Sequence, residues 1–160
     1  MTRRWVVNAS PIITLPKIGQ INLLAQLCGE MVIPQGVADE IEQGDYDDAA
    51  LSWIRAEGQA FLKQTDIARL VAAWDLGSGE SQVLSWAIRH PTYGAILDDR
   101  AARKTAKSLQ VKIRCTLSLI LLAKQAGYIA SAKTEISKLI ESGFRVSTEV
   151  LAKVLKLAEE

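Results

Sequence analysis

Tyr93-Gly94-Ala95-Ile96-Leu97-Asp98-Asp99-Arg100 is the stretch on which the fold turns. Residues 93–97 fit a short strand, with Ala95-Ile96-Leu97 as its apolar run. Two carboxylates follow that run directly. In an open parallel sheet, strand carboxyl ends and the helices that begin there share one crevice. Asp98 and Asp99 are therefore expected in such a crevice, and the question becomes which other residues the chain delivers to it.

Upstream, Trp5-Val6-Val7 reads as a buried strand ending at Asn8, and Ser10-Pro11 as a helix cap with proline in the first helical position. An amphipathic segment over 21–27 precedes a second strand, Met31-Val32-Ile33, stopped by Pro34. Val37 and Ile41 place Glu40 on a short helix, a further helix is expected at about 47–56, and Ala60-Phe61-Leu62 reads as a strand. Ile67, Leu70, Val71 and Trp74 share a predicted helix face until Asp75-Leu76-Gly77-Ser78-Gly79 breaks it. Ser78 is the expected cap of the next helix, with Glu80 in its first turn, where the helix dipole favours negative charge. That helix ends at His90-Pro91.

Downstream, the pattern predicts a helix over 100–109, a strand at Val111-Lys112-Ile113, an apolar helix over 116–125, and amphipathic helices over 131–140 and 148–158. Short strands alternating with helices predict a three-layer α/β/α fold with a central, mainly parallel sheet. The expected organisation is one domain over residues 1–160, with the helices within 131–158 offering an interface.

Composition narrows the class. The 160 residues are 49% hydrophobic, enough for a core, and no apolar run approaches the ~20 residues of a membrane span. A cytoplasmic protein is the expectation. Cys28 and Cys115 are far apart and form neither a disulfide framework nor a zinc motif, so both are expected to be reduced structural residues. Lys and Arg total 19 against 18 Asp and Glu, a net charge of +1, which excludes a strongly basic nucleic-acid binder. The distribution is uneven, however. Arg100, Arg103, Lys104, Lys107, Lys112 and Arg114 follow the acidic pair closely, and local positive charge beside acids suits a polyanionic substrate.

Glu40, Glu80 and Asp98 at one crevice would repel one another unless a divalent cation neutralised them. Mg²⁺ or Mn²⁺ held there would polarise a phosphodiester and lower the pKa of an attacking water. Glu80 and Asp98 are the best placed ligands, Glu40 completes the set, and Asn8 offers a neutral carbonyl oxygen. Asp99 serves either the cluster or the cap of the following helix, and Ser10 and Thr116 serve either as caps or as contacts to substrate. His90, the single histidine, lies at the far end of its helix and is not expected to act in catalysis. Gly77-Ser78-Gly79 lacks the Gly-Lys-Ser/Thr ending of a phosphate loop.

Several of these stretches resemble PIN-like domains, and more closely the prokaryotic PIN-like proteins related to toxins. The similarity runs through Val6-Val7-Asn8-Ala9-Ser10-Pro11-Ile12-Ile13, the 17–24 segment, Val32-Ile33-Pro34 with Val37 and Glu40, Gly79-Glu80-Ser81, and Leu97-Asp98-Asp99-Arg100-Ala101-Ala102-Arg103. It continues through 116–120 and Gly143-Phe144-Arg145-Val146-Ser147, nearly the whole chain. The resemblance implies a PIN-like fold and Mg²⁺- or Mn²⁺-dependent cleavage of single-stranded RNA, with catalytic residues at Asn8, Glu40, Glu80 and Asp98. Ser10, Asp99, Arg100, Arg103, Lys104 and Thr116 would contact substrate. It also implies a small antitoxin-like partner and a homodimer. The departure is Asn8, where PIN nucleases carry aspartate. A catalytically weak or inactive module that binds RNA or protein is the alternative expectation.

Overall fold

A computed structural model of the chain describes residues 2–45 and 48–160. Five parallel strands form the sheet: β1 (Arg4–Val7), β2 (Glu30–Pro34), β3 (Leu62–Lys63), β4 (Gly94–Ile96) and β5 (Ile113–Arg114). Ten α-helices accompany them among the described residues. These are α1 (Ala9–Thr14), α2 (Leu23–Leu27), α3 (Gln35–Gln43), α4 (Asp48–Arg55), α5 (Arg69–Ala72), α6 (Ser78–Arg89), α7 (Arg100–Ser108), α8 (Thr116–Gln125), α9 (Ala132–Glu141) and α10 (Thr148–Leu157).

The strand order is β3-β2-β1-β4-β5. From β1 the chain moves outward through β2 to β3, then returns across the sheet to place β4 on the other side of β1. Right-handed crossovers running in opposite directions cover opposite faces, which gives the three layers of an α/β/α fold. The reversal also splays the connections leaving β1 and β4, and a crevice opens beyond their carboxyl ends. Asn8 and Asp98 stand at that crevice. Below it, Trp5, Val6, Val7, Ile33, Ala95, Ile96 and Leu97 form a sheet core that is buried on both faces. This explains why these strands read as apolar runs rather than alternating patterns.

Local structure departs from the sequence expectations where a tertiary contact claims the backbone. Residues 60–62 were expected as a strand. Instead a 3₁₀ turn covers Glu57–Phe61, and the strand is only Leu62–Lys63. Gly58 fits tightly against Trp53 and Ile54, which holds the turn. The helix expected through 67–74 is a single turn, Arg69–Ala72. Ala68 N–H donates to Ser85 Oγ at 2.8 Å, and Asp75 has φ 53°, so the turn is closed at both ends. Only Val71 of the expected face is buried, while Ile67, Leu70 and Trp74 are exposed. The β5 strand, Ile113–Arg114, begins two residues later than predicted and ends one later. The helix expected from 47 runs from Asp48, and position 47 lies outside the described residues.

At the C-terminal end, α8 packs against α2, α9 and α10. No residue of α10 is fully buried, and Val150 and Leu157 are exposed. Glu160 fastens this region to the first turn of α9. Its carboxylate accepts hydrogen bonds from Ser131 Oγ at 2.6 Å and from Ala132 N–H at 2.7 Å, and it lies 3.3 Å from Lys124 Nζ. The Ser131 bond, then the backbone donors and Lys124, hold its pKa down at about 2, against an ordinary 4.5. A depressed carboxyl pKa stabilises the fold fully above 4.5, and the contribution is lost as pH falls through about 2. Protection of the Ala132 and Lys133 amides against hydrogen exchange, taken relative to the intrinsic rate at each pH, is expected to fall over that window, and Glu160→Gln should lower it already at neutral pH. Protection indifferent to both changes would contradict the fastening role.

Candidate functional site

Asn8, the residue after β1, is 5% exposed. Its N–H donates to Ile96 O at 3.2 Å, which ties the end of β1 to the end of β4. The side chain occupies the cap position of α1 without capping it, and Oδ1 is buried with no hydrogen-bond partner. A buried amide oxygen without a donor is costly unless something else satisfies it. Ser10, expected as the cap, lies inside α1 instead, and its hydroxyl donates to Asp98 Oδ2 at 2.6 Å.

Asp98 is the most heavily engaged acid of the crevice. Thr116 donates its N–H to Oδ1 at 2.8 Å and its hydroxyl to Oδ2 at 2.5 Å. Thr116 was expected either as a cap or as a contact to substrate. The cap position of α8 belongs to Cys115, and Thr116 is the first helical residue, aimed back at the β4 end. Asp98 thus clamps α1 and α8 together while facing the crevice. Asp99 caps α7 through Ala102 N–H at 2.9 Å and also lines the crevice.

Glu40 and Glu80 arrive from α3 and α6. Gly36 N–H, in the first turn of α3, donates to Gln82 Oε1 at 2.7 Å, which locks the two helices. Ser78 is not the cap of α6; Gly77 is, and Glu80 sits in the first turn as expected. Gly79 has a specific steric role. A Cβ there would lie 2.9 Å from Glu40 Oε2 and 3.4 Å from Val37 Cγ2, so glycine lets the Glu40 carboxylate rest on the start of α6. Because the closer atom is the end of a flexible side chain, Gly79→Ala should change stability by less than about 1 kcal/mol, helix propensity offsetting the crowding. It should nevertheless displace Glu40 and weaken any divalent-cation response several-fold. A melting temperature that falls sharply, or an unaltered cation titration, would count against this role.

Asn8, Ser10, Glu40, Glu80, Asp98 and Asp99 line one cavity of about 430 Å³. Burial raises the Glu80 pKa, and the negative charges of Asp99 and Glu40 raise it further. Phe144 and Arg145, on the loop between α9 and α10, complete the wall. Neither was singled out for the site from the sequence; the signal available was an arginine and an aromatic residue in a short loop between two amphipathic helices. Arg100, Arg103 and Lys104 are exposed on α7 and line a neighbouring hollow that shares Asp98 with the carboxylate cavity. His90 lies past the opposite end of α6, stacked on Trp86 with ring centroids 3.9 Å apart. Cys28 and Cys115 are both free.

The donors facing the cavity are oxygens, which suit hard divalent cations. Among the described residues, no three His, Cys, Asp or Glu side chains converge closely enough to hold an ion on their own. That arrangement fits Mg²⁺-type binding, in which one or two carboxylates act with water and a substrate phosphate. The negative charges of Asp99 and Glu40 beside Glu80, and the unpartnered Asn8 oxygen, are what a bound cation would offset.

A parallel α/β/α fold with acids gathered at its switch point defines the class, and the chain belongs to the PIN domain family, whose model matches residues 4–160. PIN domains are in general dependent on divalent metal. Comparison with curated proteins and with solved structures found no significant match in either. No helix among the described residues is long and apolar enough to cross a membrane.

Proposed function

We propose that the chain is a divalent-metal-dependent endoribonuclease acting on single-stranded RNA. The observation that carries this reading is the shared cavity of Asn8, Glu40, Glu80, Asp98 and Asp99, where burial and then the charges of Asp99 and Glu40 raise the Glu80 pKa. Glu80 and Asp98 would hold Mg²⁺ or Mn²⁺, Glu40 would complete or orient the site, and Asn8 Oδ1 would contribute a neutral oxygen. The cation, when bound, supplies charge neutralisation at the phosphate and activation of water. Ser10 and Thr116 keep the Asp98 carboxylate oriented. Arg145 and the α7 residues Arg100, Arg103 and Lys104 position the anionic backbone.

The test is cleavage of single-stranded RNA by highly purified protein with Mn²⁺ or Mg²⁺, against an EDTA control. Glu80→Gln and Asp98→Asn are each expected to lower the rate by about 100-fold, in line with loss of one preorganised electrostatic group. Cleavage unchanged in both variants would locate the activity elsewhere. A second readout is thermal. With its pKa raised in the fold, Glu80 makes stability decline as pH rises through its titration, so Glu80→Gln should raise Tm slightly without cation. The same substitution should remove the increase that millimolar Mn²⁺ gives the wild type.

Asn8 motivates a second reading, a weak or inactive module that binds RNA or protein. Wild-type protein that binds RNA without cutting it, alongside an active Asn8→Asp variant, would favour that reading. The toxin role belongs to the first reading, with a small antitoxin as partner and a homodimer using the exposed apolar residues of α10. Sedimentation over a range of concentrations tests the dimer, and a strictly monomeric species would remove it.

A further inference from the structure

Three hollows adjoin one another on this surface. The carboxylate cavity shares Asp98 with a hollow of about 510 Å³ along α7, lined by Arg100, Arg103, Lys104 and Lys107. That hollow shares Ile113 with a larger one, about 690 Å³, whose wall carries Arg3, Arg4, Lys112 and Arg114. The larger hollow lies at the amino ends of β1 and β4, across the sheet from the carboxylates. Between the two ends runs β5, a two-residue edge strand that spans roughly 7 Å and has no neighbour beyond it.

Eight cationic side chains line this course in a chain of net charge +1. Of these eight, only Arg4 is in an ion pair with a described residue, Glu30 at 3.1 Å. Such a concentration of charge suits a polyanion of matching length. Trp5, at the floor of the far hollow, is 2% exposed and unavailable for base stacking, while Thr2 and Thr92 add hydroxyls to the wall. The groove therefore offers contacts to phosphates and none to base faces.

We propose that the hollow at Arg3, Arg4, Lys112 and Arg114 is a second phosphate-backbone site, onto which a single strand held at the carboxylate cavity continues after passing α7 and the β5 edge. The proposal rests on the reading of the carboxylate cavity as a site for RNA. A polynucleotide suits the course better than an acidic peptide, because its charge repeats uniformly and successive hollows share Asp98 and Ile113 with one another. The site is independent of sequence and demands length.

The experiment measures binding of labelled oligouridylates of 4 and 20 nucleotides in EDTA, where no cleavage intervenes, at several salt concentrations. Each phosphate contact on a single strand contributes about 0.7 to the slope of log affinity against log salt. Lys112→Gln with Arg114→Gln should lower the 20-mer slope by about 1.4 and leave 4-mer affinity unchanged. Arg103→Gln with Lys104→Gln should weaken both oligomers. If the first pair melts below the wild type, Arg3→Gln with Lys112→Gln reads the same slope from the other wall. A wild-type slope in the far-hollow variants, with weakening in the α7 variant, would overturn this proposal and leave the carboxylate site intact. Equal loss on the 4-mer would overturn it too. Polyglutamate competing as strongly as the 20-mer would assign the groove to an acidic protein instead. Wild-type protein that binds neither oligomer, in EDTA or with Ca²⁺ in its place to neutralise the carboxylates, would overturn this proposal together with the RNA reading beneath it.

Discussion

Asp98→Ala is expected to cost about 3 kcal/mol of stability and to lower Tm by roughly 6–12 °C. Three donors lose their acceptor at once: the Ser10 hydroxyl, the Thr116 hydroxyl and the Thr116 N–H. A hydrogen bond to a charged group contributes about 1.5–3 kcal/mol, but the three are not additive and Asp98 is only half-buried, so the total stays near the value of one strong bond. Thr116 is fully buried, and its stranded hydroxyl has no solvent to turn to. Asp98→Asn keeps one acceptor oxygen and should lose about half as much. Thermal denaturation of both variants checks the order Ala below Asn below wild type. A Tm that ignores both changes would mean that Asp98 does not hold α1 and α8 together. The stability loss is separable from chemistry, since Thr116→Val removes one donor without removing the carboxylate.

Asn8→Asp carries the second large effect, and its sign depends on the cation. The side chain is 5% exposed and Oδ1 has no donor, so a charge placed there is buried and unpaired beside an already crowded set of acids. In EDTA at neutral pH the substitution should cost about 2–4 kcal/mol, in the range seen for uncompensated buried charge. Acidifying the solution should recover the loss, because the new carboxyl is protonated more readily in the fold than in the unfolded chain. Millimolar Mn²⁺ should reverse the loss and carry Tm above that of the wild type under the same conditions. A variant that melts like the wild type with and without Mn²⁺ would place Asn8 outside any cation site.

Much of this was legible in the sequence because the sheet is buried on both faces. Trp5-Val6-Val7, Met31-Val32-Ile33 and Ala95-Ile96-Leu97 are unbroken apolar runs, and each was expected within a residue or two of the strand observed. Strand ends then point to Asn8 and Asp98 without further information. The segments misread are those whose hydrophobic spacing was helical but whose backbone was claimed elsewhere. Ile67, Leu70 and Trp74 form a stripe on paper, yet Ser85 takes the Ala68 amide and only one helical turn results. Ser10, Ser78 and Thr116 each resembled a helix cap, and none caps. Two of them turn to Asp98, a partner 88 residues away from Ser10 and 18 from Thr116. Capping rules describe local donors and cannot register an acceptor supplied by a distant strand. Arg145 was missed for the same reason, since only the folded chain brings the loop between α9 and α10 to the end of β1.

The clamp at Asp98 also sets when the site comes into being. Closing the 88-residue span from Ser10 to Asp98 costs about 4 kcal/mol of chain entropy before any contact repays it. Pairing of β1 with β4 across the same span is the step that repays it, and such non-local pairing is slow relative to helix formation. During synthesis α1, β2 and α3 emerge early and can form their local structure, but Asp98 has no partner on α8 until Thr116 has been added. A chain that has not yet added Thr116 has the acids without the clamp, and one that has not yet added Phe144 and Arg145 lacks a wall of the cavity, so whatever the cavity does is withheld until those residues have been made.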